Sequence, residues 1–272
     1  MEAFLAFFEH MPNWQKLLWI GTCLSFNWIL EGAAPLVNFD YKKWKHAWVN
    51  LVFLSTSLVV NVLFALVTIG IFNWMSANEW GLLYWLDLPI LLELLLAIMI
   101  LDFVAQYLVH YLLHRVKWMW RFHMIHHSDS KVDATTGTRH HPGDYLLREV
   151  FALVAIIVSG IPLAFYLFYR IITVFFAYFT HANIVVPYWI DKPMSYIFVT
   201  PNMHKFHHHF ERPWTDTNFG NIFSFWDRLF GTFVYDDPRK IKYGLDVLDD
   251  AKDENIAYQF KVPFDKNIKT DY

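Results

Sequence analysis

Residues 47–74 run for 28 positions without a charged side chain, and residues 82–113 are nearly as apolar over 32. About 20 such residues cover the hydrocarbon core of a bilayer, and in lipid only helices or closed barrels satisfy every backbone group. Runs of this length exclude short barrel strands, so the chain is expected to be an all-α integral membrane protein. Composition agrees: 17% of the 272 residues are charged, against about 25% in an ordinary soluble domain, and 19% are aromatic, as aromatic belts at both interfaces require.

A third candidate span, residues 14–37, is interrupted by Glu31 and Pro35. Residues 145–180 are apolar but divided by Gly160 and Pro162, which predicts a re-entrant helical hairpin. About three spans and the hairpin would make residues 1–235 a membrane-embedded unit, leaving 236–272 as a polar cytoplasmic tail. The first ten residues carry no basic stretch before the apolar run, so no cleaved leader is expected. The linker at 38–46 holds Lys42, Lys43 and Lys45, the linker at 75–81 holds no Lys or Arg, and the segment after 113 holds Arg115, Lys117, Arg121 and Lys131. The bias of basic residues toward the inside then places everything after His114 on the cytoplasmic side, at the inner membrane in a bacterium. The net charge of −3 argues against a nucleic-acid partner.

That topology brings together the residues that carry chemistry. His110 and His114 form H-x-x-x-H; His123, His126 and His127 form H-x-x-H-H; His204, His207 and His208 repeat it; and His181 stands between. Side chains at i, i+3 and i+4 share a helix face, and neutral imidazole is the commonest metal ligand near neutral pH. Nine imidazoles exceed the four that a tetrahedral zinc takes, so a cytoplasmic helical cap with a dimetal site is expected. With a single cysteine, Cys23, thiolate ligation is excluded as a theme. All-nitrogen ligation suits Zn, Cu, Fe and Ni alike. A pair of redox-active irons beside a membrane would explain both the ligands and the setting, because lipid could reach dioxygen bound there.

The runs HYLLH (110–114), HMIHH (123–127) and HKFHH (204–208) resemble the three histidine boxes of the fatty acid hydroxylase/sterol desaturase superfamily. FTHAN (179–183), TDTNFGN (215–221) and FWDRLFGTF (225–233) extend the resemblance to its bacterial sterol desaturase family members and, more distantly, to alkylglycerol monooxygenase. It covers about residues 95–235. It implies a non-haem di-iron, dioxygen-dependent membrane enzyme that hydroxylates or desaturates a lipid. The implied ligands are His110, His114, His123, His126, His127, His181, His204, His207 and His208, with His181 resting on the HAN match alone. His141 is a candidate active-site residue, and Asp102, Asp216, Asn218 and Asp227 are candidates to support the ligands. Asp102 could equally be a polar contact between helices, and Asp227 could pair with Arg228 to dock the tail.

His10 and His46 are expected at the solvent or headgroup level, and His140 and His209 outside the ligand set. The HPGD run at 141–144 superficially resembles a haem-binding sequence, but no soluble domain of about 80–100 residues is visible to hold a haem, so electrons are expected from a separate protein. Two other classes remain: a membrane zinc hydrolase acting on a lipid, and a metal transporter. Purified protein could carry zinc in place of iron, since zinc binds such sites more tightly.

Overall fold

The computed structural model describes residues 2–270, which are helical with no strand beyond two isolated bridges. Helix α1 (Glu2–Glu9) and α2 (Asn13–Ala33) lie against a later apolar helix. Next come α3 (Lys43–Ala77), the short α4 (Leu82–Leu86) and α5 (Ile90–Asp102). A π-helical stretch (Phe103–Leu108) joins α5 to α6 (Val109–Arg115), and α7 (Lys117–His127) follows after a bend. The hairpin consists of α8 (Pro142–Ser159) and α9 (Leu163–His181). Beyond it lie α10 (Tyr188–Met194), α11 (Pro201–His207), α12 (Phe225–Leu229) and α13 (Ile256–Lys261).

Three stretches are long and apolar enough to cross a membrane: Lys43–Leu86, Ile90–Arg115 and Leu163–His181. The number matches expectation, but the membership differs. The 14–37 segment is not among them, because Lys16, Asn27 and Glu31 interrupt α2. Glu31 is buried and working inside the protein: it accepts the amides of Ala134 (2.6 Å) and Asn183 (2.8 Å) and pairs with Lys43 at 3.0 Å. Its place is taken by α9, the second arm of the hairpin. The helix expected over 82–113 is also broken: Asp87 sits at φ 43° and Pro89 caps α5, so the span begins at Ile90.

The hairpin turns where the sequence says it should. Gly160 adopts φ 68° at the end of α8 and Pro162 opens α9. The tip lies against Gly81 so closely that a Cβ on Gly81 would stand 2.3 Å from the Gly160 Cα, and Trp80 donates its indole N–H to the Ile157 carbonyl. The arms of 18 and 19 residues are about 27–29 Å long at 1.5 Å per residue. They therefore run from the histidine-bearing end to the level of the turn between the two preceding spans.

Residues 236–270 are polar in composition but do not trail free. Leu245 and Val262 join Val49, Phe53, Trp120, Met124 and Ile125 in one apolar cluster. Arg121 of α7 donates to the carbonyls of Pro263 (2.6 Å) and Ile268 (3.2 Å). Helix α7 is thus packed between α3 and the C-terminal segment, which fixes the orientation of the three histidines it carries.

Candidate metal centre

The sequence divides its histidines among four helices, and the fold closes those helices around one point. Helix α6 supplies His110 and His114, α7 supplies His123, His126 and His127, and α9 ends on His181. Helix α11 supplies His204 and His207, with His208 as its cap residue. None of the nine exceeds 6% exposure. They form two groups whose nitrogens lie within 4.8 Å of one another: His110, His114, His123, His127 and His207 in one, and His126, His181, His204 and His208 in the other.

For five of the nine rings, hydrogen bonding determines which nitrogen is bare. His110 donates Nδ1–H to the Phe219 carbonyl at 2.9 Å, and His207 to the Thr217 carbonyl at 2.7 Å. His114 is held at Nδ1 by Asp216 at 3.3 Å, and His123 by Asp144 at 2.9 Å. These oxygens only accept, so in the neutral ring the proton is on Nδ1 and a lone pair remains on Nε2. Yet the Nε2 atoms of His110 and His123 are 3.0 Å apart. Two lone pairs facing each other at that distance repel unless a cation lies between them. Two nitrogens each about 2.1 Å from one ion and at right angles would stand about 3.0 Å apart. The donor set therefore fits a metal. In the second group, Nε2 of His181 lies 3.1 Å from that of both His126 and His204, while its Nδ1 donates to the Ala177 carbonyl at 2.6 Å.

Burial supplies the protonation state that ligation needs. It holds His126, His127, His204, His207 and His208 well below the usual imidazole value, and His123 at about 4 despite the opposing Asp144 carboxylate. These rings are neutral at pH 7 and need lose no proton to bind a cation. Among the described residues, His127 and His208 have no hydrogen-bond partner at either nitrogen, and His126 and His204 none at Nδ1. Orphaned buried nitrogens are costly, and a bound cation would satisfy those that face it.

The supporting residues are only partly those the sequence suggests. Asp216 contacts His114, as expected of a supporting carboxylate, and also lies near Arg115 and Arg212. Asn218 (φ 54°) and Asp227 touch no histidine among the described residues and act one step back. Asn218 bridges the carbonyls of Met203 and Val234, both at 2.8 Å. Asp227 accepts the amides of Phe219 (2.7 Å) and Gly220 (3.0 Å). Together they fix a loop in which Asp216, Thr217 and Phe219 hold three separate histidines. The anticipated pairing of Asp227 with Arg228 is absent among the described contacts; Arg228 stacks on Phe233 and donates to Ser195.

Asp102 lies apart from both groups. It touches none of the nine histidines; its carboxylate takes Tyr169 Oη–H, Trp226 Nε1–H and the amides of Ile222 and Phe223, at 3.0–3.2 Å. It is an anchor between helices, the other reading open at that position.

His141 joins neither group. Its Nδ1 caps α8 by accepting the Gly143 amide at 3.0 Å, and its ring packs on Phe122, Phe260 and Phe264. The preceding residue, His140, is the one at the site: it shares the Asp144 carboxylate with His123 and stacks on His126 at 4.6 Å. His46 is not solvent-facing but fully buried, 3.3 Å from Asp129. His10 is exposed and His209 half-buried, both outside the two groups.

Sequence reasoning missed Asp144 and His140. The i, i+4 spacing of the pair across a helix start was the available signal. The carbonyls of Thr217, Phe219 and Ala177 left no signal at all.

A cavity opens beside the histidines, between α3, α8 and α9. His126, His181 and His204 of the four-histidine group line it, together with His140 and, from the five-histidine group, His110 alone. A molecule in it would lie against the four-histidine group.

The model of the fatty acid hydroxylase family matches residues 94–232, just over half of the chain. This chain belongs to the fatty acid hydroxylase family. Among curated relatives, an ornithine lipid hydroxylase of Rhizobium tropici is 32% identical over 121 residues, covering 44% of this chain and 35% of that protein. Alkylglycerol monooxygenases of Xenopus tropicalis and Homo sapiens are 29% and 28% identical over 134 residues, covering 47% of this chain and 27% of theirs. The matched stretch thus spans about a third or less of each relative. No solved structure matches the chain. The family match begins in α5 and ends just after α12, so it takes in all nine histidines and the 216–219 loop.

Proposed function

We propose that this member of the fatty acid hydroxylase family is an integral membrane oxygenase that hydroxylates, or desaturates, a C–H bond of a lipid. Two iron ions would be held by the nine histidines, five around one and four around the other. Such a pair supplies the chemistry of dioxygen reduction at a C–H bond when electrons reach it from a separate donor protein. The protein's own residues do the rest. The Nδ1 acceptors hold the rings in one tautomer, the buried setting excludes bulk water, and the cavity beside His126, His181 and His204 receives the lipid. The basic linkers at 42–45 and 115–131 support a cytoplasmic site, with the hairpin returning to that face and residues 236–270 packed beneath α7.

The observation that carries this reading is the convergence of nine buried imidazoles in two groups beside a cavity between α3, α8 and α9, in a chain with a relative named an ornithine lipid hydroxylase. Lipid analysis of cells with and without the active protein, grown under ¹⁸O₂, tests it. Label is expected in one lipid class and lost in both His126→Ala and His207→Ala while the protein remains membrane-inserted. Turnover that persists without dioxygen would favour a zinc hydrolase and overturn the oxygenase. Metal analysis on its own decides less, because zinc displaces iron in overexpressed protein.

A further inference from the structure

The wall of the cavity away from the histidines is unusual for an acyl-chain pocket. Leu58 and Val174 contribute apolar surface, but Asn61, Tyr145, Arg148, Glu149 and Arg170 line the same space. Charged groups at membrane depth are rare and expensive unless they serve a site. Arg170 is fully engaged: it donates to Glu149 (2.6 Å), to Asn61 (3.2 Å) and to the Tyr145 hydroxyl (2.5 Å). That network is a self-contained polar wall.

Arg148 differs. It spends Nε alone, on Asp144 at 2.9 Å, and its terminal amino groups have no hydrogen-bond partner among the described residues. Its side chain is 13% exposed. Asp144 also holds His123 and His140, so the guanidinium is tied within one carboxylate of the histidine groups. A rigidly held fork with both terminal donors unspent matches a carboxylate or phosphate.

We propose that Arg148 receives an anionic oxygen of the substrate's headgroup. This rests on the lipid-oxidation reading and narrows it: the substrate is an anionic or zwitterionic lipid, and the carbon presented to the histidines lies within a few bonds of its headgroup. A plain hydrocarbon segment in mid-chain would leave the guanidinium and the Arg170 wall facing methylene groups.

The test is binding, not turnover. Metal-loaded full-length protein in phosphatidylcholine nanodiscs is titrated with dodecyl phosphate and with neutral dodecylglycerol, using empty nanodiscs as the blank. The ratio of the two affinities is the readout. The wild type should prefer dodecyl phosphate, and Arg148→Gln should lower that ratio by about tenfold or more, the worth of a charge-assisted hydrogen bond. Arg148→Lys, which keeps the charge, should retain part of it. An unchanged ratio in Arg148→Gln, including an equal loss for both probes, overturns the proposal. So does displacement of dodecyl phosphate by equimolar inorganic phosphate, which would mark a plain anion site with no lipid preference. Oxidation is read separately by ¹⁸O₂. Label without an Arg148-dependent preference sinks this proposal alone, and the preference without label sinks the oxygenase and leaves the headgroup site standing.

Discussion

The two histidine groups are built from the same side chain to different standards of rigidity. In the group of five, four rings are locked at Nδ1 by an oxygen: Phe219 and Thr217 carbonyls for His110 and His207, Asp216 and Asp144 for His114 and His123. In the group of four, among the described residues, His181 alone has such a lock, on the Ala177 carbonyl, and His126, His204 and His208 have none. Exposure runs the other way, for three of the four line the cavity and only one of the five does. Under the proposed reading, one ion is held in a stiff, closed cage, and the other sits in a looser one that faces the substrate. Outer partners raise ligand basicity and fix ring orientation, so the looser group has freedom to accommodate changes at its ion and the stiffer group does not.

The largest expected effect tests whether the groups differ in reserve. His204→Ala leaves three ligands in its group and should abolish measurable turnover, with metal content falling from two ions per chain toward one. His127→Ala removes the one unlocked ring of the other group and leaves four, so two ions should remain by elemental analysis. Equal metal loss in the two variants would erase the distinction.

Next in size are the locks themselves. Asp144→Asn and Asp216→Asn should each weaken metal binding by about 10–100-fold at the five-histidine group alone, measured by competition with a chelator of known affinity. By the same logic, dialysis of the wild type against a chelator should release metal in two phases, and His204→Ala, which depletes the four-histidine group, should lack the faster one.

Two smaller effects bound the centre from outside. Asp102→Asn disturbs a buried anchor with four donors and should lower stability by about 1–3 kcal/mol in thermal melts, with two ions retained. His141→Ala removes a helix cap, should cost about 1 kcal/mol, and should leave turnover intact once folded. A large catalytic loss there would restore His141 to the active site.

The nine histidines were legible because a helix converts spacing into direction, but their division between groups was not. At 3.6 residues per turn, His123 and His127 lie about 40° apart, and His126 lies about 60° to the other side of His123. His123 and His127 join the group of five and His126 crosses over. In the last box the exchange is reversed: His204 and His208 stay together and His207 crosses. Spacing puts each triplet on one helix face; that each triplet straddles two points is seen only in the structure.

The spans were read from local hydropathy, which sees the same apolar residues whether or not they lie inside the protein. It therefore credited α2, where buried Glu31 does structural work, and undervalued α9. His140 and His141 are adjacent with identical side chains. Only the Pro142 turn and the start of α8 assign one to Asp144 and the other to the cap.

The loop at 216–219 holds three rings with one carboxylate and two carbonyls. The carbonyls belong to the backbone, so exchange of the side chains at 217 or 219 leaves the two hydrogen bonds chemically available. Adding or deleting a single residue there would instead move all three acceptors at once. Over generations of sequence drift, this segment should tolerate changes of spelling far better than changes of length.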